Sequence, residues 1–117
     1  MATSDPTASP RLVPFAIRAL SAGDRTTRVV VEGEIDLLTS AQLKTALEQE
    51  LAAADSVLLD LSRVQFIDSS GLQAILGAVQ GQGSDGSKLK ISSSLPAQAH
   101  RLFELVGVLE QLPLVDH

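Results

Sequence analysis

Val57-Leu58-Leu59-Asp60-Leu61-Ser62-Arg63-Val64-Gln65-Phe66-Ile67-Asp68-Ser69-Ser70-Gly71-Leu72 decides the architecture. Val57 to Leu61 is apolar at almost every position. A strand with one wet face alternates, whereas one covered on both faces does not, so this stretch predicts a central strand with parallel neighbours. Val64-Gln65-Phe66-Ile67 extends it up to Asp68-Ser69-Ser70-Gly71. Beyond that step, Leu72, Ile75, Leu76 and Val79 recur at i, i+3, i+4 and i+7, the stripe of an amphipathic helix.

The same reading extends outward in both directions. Upstream, Thr39-Ser40-Ala41-Gln42 has capping-box spacing and predicts a helix beginning at Thr39. Leu43, Ala46, Leu47, Leu51 and Ala54 form its apolar stripe. Thr27 to Ile35 is rich in β-branched residues and reads as a strand. Leu12 to Leu20 alternates, with Phe15, Ile17 and Ala19 on one face, and Pro14 confines it to a sheet edge. Gly23-Asp24 supplies the turn between them, so the chain opens as a hairpin. Downstream, Gly81-Gln82-Gly83-Ser84-Asp85-Gly86 is a glycine-rich loop, and Leu89 and Ile91 alternate with lysines in a further strand. Ser94-Leu95-Pro96 predicts a third helix start with Ser94 as cap. Ala99, Leu102, Phe103 and Val106 are the stripe of that helix, Gly107 ends it, and Leu112 to Val115 is a last extended piece. The expectation is a single α/β domain, a mixed β-sheet of four to five strands packed with about three helices. Residues 1–11 are expected to be a flexible N-terminal segment and 12–117 the domain.

Composition narrows the function. The 117 residues suffice for one core and not for two. Hydrophobic residues are 44% and aromatics 3%, so the core is aliphatic. A net charge of −5 argues against nucleic-acid binding, which needs a basic footprint. The absence of cysteine excludes disulfides and thiolate metal sites. No apolar run has the length of a membrane span, and Met1 to Pro6 has no signal-peptide pattern, so a cytoplasmic location is expected.

Catalytic constellations are sparse. His117 is terminal, and His100 lies off the apolar stripe of the third helix. No Walker loop, nucleophile elbow or dinucleotide fingerprint occurs, and no cofactor is expected. Asp68-Ser69-Ser70-Gly71 is the informative step. An acid or hydroxyl before a helix is an ordinary N-cap. A hydroxyl at that place also faces free backbone N–H groups and the positive end of the helix dipole, so a phosphate there is tolerated without unfolding. Gly71 is expected to let a partner backbone or nucleotide come close. Asp36 and Thr39, if the second strand ends beside the central one, come near Ser69.

Val31-Glu32-Gly33-Glu34-Ile35-Asp36, Leu58-Leu59-Asp60-Leu61, Phe66-Ile67-Asp68-Ser69-Ser70-Gly71-Leu72 and Arg101-Leu102-Phe103-Glu104-Leu105-Val106-Gly107 together resemble the STAS domain, and more narrowly the bacterial anti-sigma factor antagonists. The resemblance runs from about Arg28 to Leu112. It implies a partner-switching protein with no catalysis of its own. The unphosphorylated form would bind an anti-sigma factor that is also a serine kinase, and so release a sigma factor. Phosphorylation at Ser69 would end the complex, and a serine phosphatase would restore it. Asp36, Thr39, Asp68, Ser69, Ser70, Gly71 and Leu72 would make the partner-binding face. Nucleic acid and membrane insertion are not implied, and a monomer is the default. Two other roles compete: an accessory subunit of a membrane transporter ATPase, and a small serine-dependent enzyme. Three features depart from the family pattern. Gln73 stands where a small residue is common, the loop from Gly81 to Ser87 is glycine-rich, and only Asp116 and His117 follow the last strand, where many members have another helix.

Overall fold

The computed structural model describes residues 13–81 and 88–116. The segment expected to be flexible at 1–11, residues 82–87 of the glycine-rich loop, and His117 lie outside these residues.

Among the described residues, five strands and three helices follow one another: β1 (Ala16–Ser21), β2 (Thr26–Ile35), α1 (Leu37–Ala53), β3 (Ser56–Ile67), α2 (Ser69–Gln80), β4 (Leu89–Ser92), α3 (Ala97–Val106) and β5 (Leu114–Val115). A single 3₁₀ turn, Leu109–Gln111, precedes β5. The sheet follows sequence order, with β1 antiparallel to β2 and every later pair parallel. The hairpin and the parallel central strand expected from the sequence are both present.

The core lies on one face of this sheet. Val29, Leu59 and Ile91 stand in register across β2, β3 and β4, and all three belong to one buried cluster with Leu43 and Leu47 of α1, Leu72 and Ile75 of α2, and Ala99 and Phe103 of α3. Val57 to Leu61 are all buried, so this part of β3 is covered on both faces, as its apolar run suggested, although the cluster shared with the helices lies on one of them. Arg28, Leu58 and Lys90 are in register on the other face, next to the pair Val30 and Asp60. Asp60 is 3% exposed. Its carboxylate accepts from Nε of Arg28 at 3.0 Å and also from Nη2 of the same guanidinium, while the Ser62 N–H donates to its other oxygen at 2.9 Å. Burial pushes this carboxyl up, but the bonds from Ser62 and Arg28 outweigh it and leave it below the ordinary aspartate range. Asp60 thus sits where β3 is bulged against β2 and ties the irregular step down.

Several element boundaries differ from the sequence reading. The first strand starts at Ala16 and not at Leu12. Before it, the backbone crosses Gly33 so closely that a Cβ there would lie 2.8 Å from the Phe15 Cα and the Val13 oxygen. Gly33 has φ +89, which glycine tolerates, and the Val13 N–H reaches across to Oε1 of Gln65 on β3 at 2.9 Å. α1 begins at Leu37 and not at Thr39, because Asp36 is the better cap. α3 begins at Ala97 with Pro96 before it and no side-chain cap, so Ser94 does not cap it. Val106, placed on the buried stripe of α3, is 53% exposed.

Candidate functional site

β2 and β3 end level with each other, with Ile35 paired to Ile67. Each strand is followed at once by an aspartate and then a helix. Asp36 caps α1: its Oδ1 accepts from the N–H groups of Leu38 and Thr39, both at 3.0 Å. Asp68 caps α2 in the same way, accepting from Ser70 at 2.8 Å and Gly71 at 3.2 Å. The Asp68 N–H donates to the Ile35 carbonyl at 3.0 Å, which joins the two helix starts. The strand register therefore sets the start of α1, with Asp36 and Thr39, next to the start of α2, with Asp68 and Ser69.

Thr39 is not a cap but the third residue of α1. Its hydroxyl accepts from the Asp36 N–H at 2.8 Å, closing a reciprocal capping box, and donates to the Glu34 carbonyl at 2.8 Å. The Thr39 N–H bond is the main reason the Asp36 carboxyl lies below its ordinary value of 3.8. The sequence signal for this box was Asp36-Leu37-Leu38-Thr39, whereas Gln42, three residues after Thr39, is exposed.

Ser69 is the first residue of α2 and is exposed. Among the described residues its hydroxyl makes no hydrogen bond. Ser70 is half-buried and lines a cavity of about 350 Å³ between α1 and α2, together with Leu37, Ser40, Lys44, Gln73 and Gly77. Gly71 and Leu72 do not reach the surface. A Cβ on Gly71 would fall 2.5 Å from Ile35 Cγ2 and 2.7 Å from Ile67 Cγ1. The close approach that this glycine allows is therefore to the protein's own core and not to a partner. Leu72 is 2% exposed and packs in the same core.

Three residues near these helix starts were not singled out by the sequence reading. Leu37 and Leu38 are 73% and 79% exposed, and Phe66, paired with Glu34, is 42% exposed. Their hydrophobicity suggests core when read along the chain, and only the position of the Asp36 cap turns the two leucines outward. A second cavity, of about 260 Å³, lies beside them between Val13, Phe15, Glu34, Asp36 and Thr39. The fourth unforeseen residue is Gln98 of α3, whose carboxamide bonds the Ile67 backbone twice, at 2.9 Å each. His100 is exposed on α3. No described helix is long and apolar enough to cross a membrane.

The family model described as "Mlab, STAS domain" matches residues 19–116. An anti-sigma-B factor antagonist of Listeria monocytogenes is 36% identical over 81 residues, covering 68% of this chain and 70% of its own. A crystal structure of an anti-sigma factor antagonist from Mycobacterium paratuberculosis superposes with a TM-score of 0.76 at 23% identity, covering 89% of this chain and 87% of that one. The Bacillus cell fate determinant SpoIIAA in its phosphorylated form superposes with a TM-score of 0.65 at 17% identity, covering 87% and 91%.

Proposed function

The chain belongs to the STAS domain family, among the anti-sigma factor antagonists, and from that premise we propose that it is a partner-switching regulator controlled at Ser69. Its unphosphorylated form binds an anti-sigma factor with serine kinase activity and so frees a sigma factor. The kinase transfers the ATP γ-phosphoryl group to the Ser69 hydroxyl, the complex dissociates, and a serine phosphatase reverses the modification. The protein itself catalyses nothing. The relatives supply the partner class, and a phosphorylated relative of the same fold supports the modification.

The observation that carries the reading is the state of Ser69 itself. Its hydroxyl is exposed at the first position of α2 and free of hydrogen bonds among the described residues, while Asp68 beside it does the capping. A serine needed as a cap would be bonded to the helix. Ser70 turns toward the groove between α1 and α2, which leaves Ser69 as the acceptor. Exposed Leu37, Leu38 and Phe66 supply the apolar contact for a partner, and Asp36, Thr39, Asp68 and Ser70 border it. Gly71 and Leu72 contribute from beneath by fixing the turn.

The switch needs no change of fold. A phosphoserine adds about −1.5 to −2 charges. One like-charge pair about 6 Å apart at an effective dielectric near 20 costs roughly 3 kcal/mol before screening. Half of that is about tenfold in affinity. A phosphate forced into a fitted apolar contact adds a desolvation cost.

The competing reading is an accessory subunit docked on a membrane transporter ATPase. One experiment separates the two. Wild type, Ser69→Ala and Ser69→Glu serve as baits in lysate of the native organism, with mass spectrometry of the eluates and of the recovered wild type. A small ATP-binding kinase held by the first two baits and lost by the third is the expected result. One transporter ATPase retained by all three, with no phosphate on Ser69, would overturn it.

A further inference from the structure

β3 is twelve residues long, but β4 pairs only with Val57 to Leu59. The far end of β3 therefore has β2 on one side and, among the described residues, no strand ladder on the other. Successive peptide groups of a strand point to alternate sides. The Asp68 N–H points to β2 and meets the Ile35 carbonyl, so the N–H and C=O of Ile67 point to the open side. Gln98, the second residue of α3, fills that place. The Ile67 N–H donates to its Oε1, and its Nε2 donates to the Ile67 carbonyl, both at 2.9 Å. A primary carboxamide carries the same donor and acceptor as a peptide group, so one side chain replaces the missing strand residue. Ala99 and Phe103, in the same helix, are 1% and 0% exposed and hold α3 against the sheet.

We propose that Gln98 is the positioning residue of the Ser69 turn: through the Ile67 peptide it fixes Asp68, and through Asp68 the first turn of α2. The inference rests on the reading of Ser69 given above. The bonded carbonyl belongs to the peptide that joins Ile67 to Asp68, one residue before the cap and two before Ser69. Asp68 in turn holds the amides of Ser70 and Gly71. α3, remote in sequence, thereby sets the geometry in which a kinase would meet the hydroxyl.

Amide hydrogen exchange on the chain alone tests this. Gln98→Met keeps length and removes both bonds. Exchange at Ser70 and Gly71 should accelerate about tenfold or more, with Val29 and Leu59 unchanged. Gln98→Glu separates positioning from space-filling. Ionised, its carboxylate still accepts from the Ile67 N–H but repels the Ile67 carbonyl. Protonated, it donates again. Its exchange at Ser70 and Gly71, relative to wild type at each pH, should return toward wild type as the pH falls through the glutamate range near 4.3. Unchanged exchange in Gln98→Met, or a ratio in Gln98→Glu that is flat with pH, would overturn the proposal. Neither measurement uses a kinase. Failure to find phosphate on Ser69 would remove the function and leave the positioning standing, whereas flat exchange would remove the positioning alone.

Discussion

The starts of α1 and α2 are built alike and finished differently. Each follows directly on a parallel strand, and each is capped by an aspartate that accepts from the second and third helical amides. At α1 the third residue is Thr39, whose hydroxyl returns a bond to the cap's own N–H. At α2 the third residue is Gly71, which has no side chain to return one, and the cap's N–H goes to Ile35 across the sheet. The first residue is an exposed leucine at α1 and an exposed serine at α2. A local capping box secures one helix start. The other depends on the neighbouring strand and on a core glycine, and so presents a free hydroxyl on a fixed frame. A modification site needs that combination, since a hydroxyl spent on the cap is not available to a kinase.

The largest test of this contrast is Gly71→Ala. The added methyl would meet Ile35 and Ile67 well inside contact distance. Overpacking of this kind costs about 1–3 kcal/mol, and urea denaturation should show a loss at the upper end, against under about 0.5 kcal/mol for Gln73→Ala on the exposed side of the same helix.

Removing the caps comes next. Asp36→Ala and Asp68→Ala should each lose about 1 kcal/mol by the same measurement. Equal losses would show that the two caps do the same work for folding, and that what differs between the helix starts is the residue each cap leaves exposed. Thr39→Val should lower stability by a similar amount, because it opens the box at α1 and has no counterpart at α2.

Acid titration probes the α1 cap differently. The folded Asp36 carboxyl lies below its ordinary 3.8, chiefly through the Thr39 N–H. A depressed folded value means the contribution is complete above the ordinary value and is lost as pH falls through the folded one. Asn caps as well as Asp without titrating. Asp36→Asn should therefore match wild type near pH 7 and lose less of its stability than wild type as the pH falls below the ordinary 3.8. Asp60, also depressed, titrates with the same sign in both proteins and cancels in the comparison.

The smallest effect on folding should come from Ser69→Glu. The side chain is exposed, and an acid in the first turn meets the helix dipole favourably, so stability should stay within about 0.5 kcal/mol of wild type or rise slightly. A large loss of folding in this variant would break the idea of a fixed frame with a free hydroxyl.

The pattern of hydrophobic residues was enough to place the central strand, the opening hairpin and all three helices, because burial on a sheet or helix face leaves a period that can be read along the chain. The step at Asp68 and Ser69 was legible for the same local reason: a cap precedes its own helix. Three things were not. The cap at Asp36 competed with the spacing at Thr39, and choosing the wrong one hid the fact that Leu37 and Leu38 face outward. Gly71 reads as freedom for a visitor, when its Cα in fact faces Ile35 and Ile67, residues 36 and 4 positions away. Gln98 has no local signal at all, since its partner is the Ile67 peptide 31 residues earlier. Local hydrogen bonds and periodic burial are properties of neighbouring residues and belong to the sequence. Which side chain completes an unpaired strand end, and which glycine makes room for the core, depend on distances between segments that exist only once the sheet has formed.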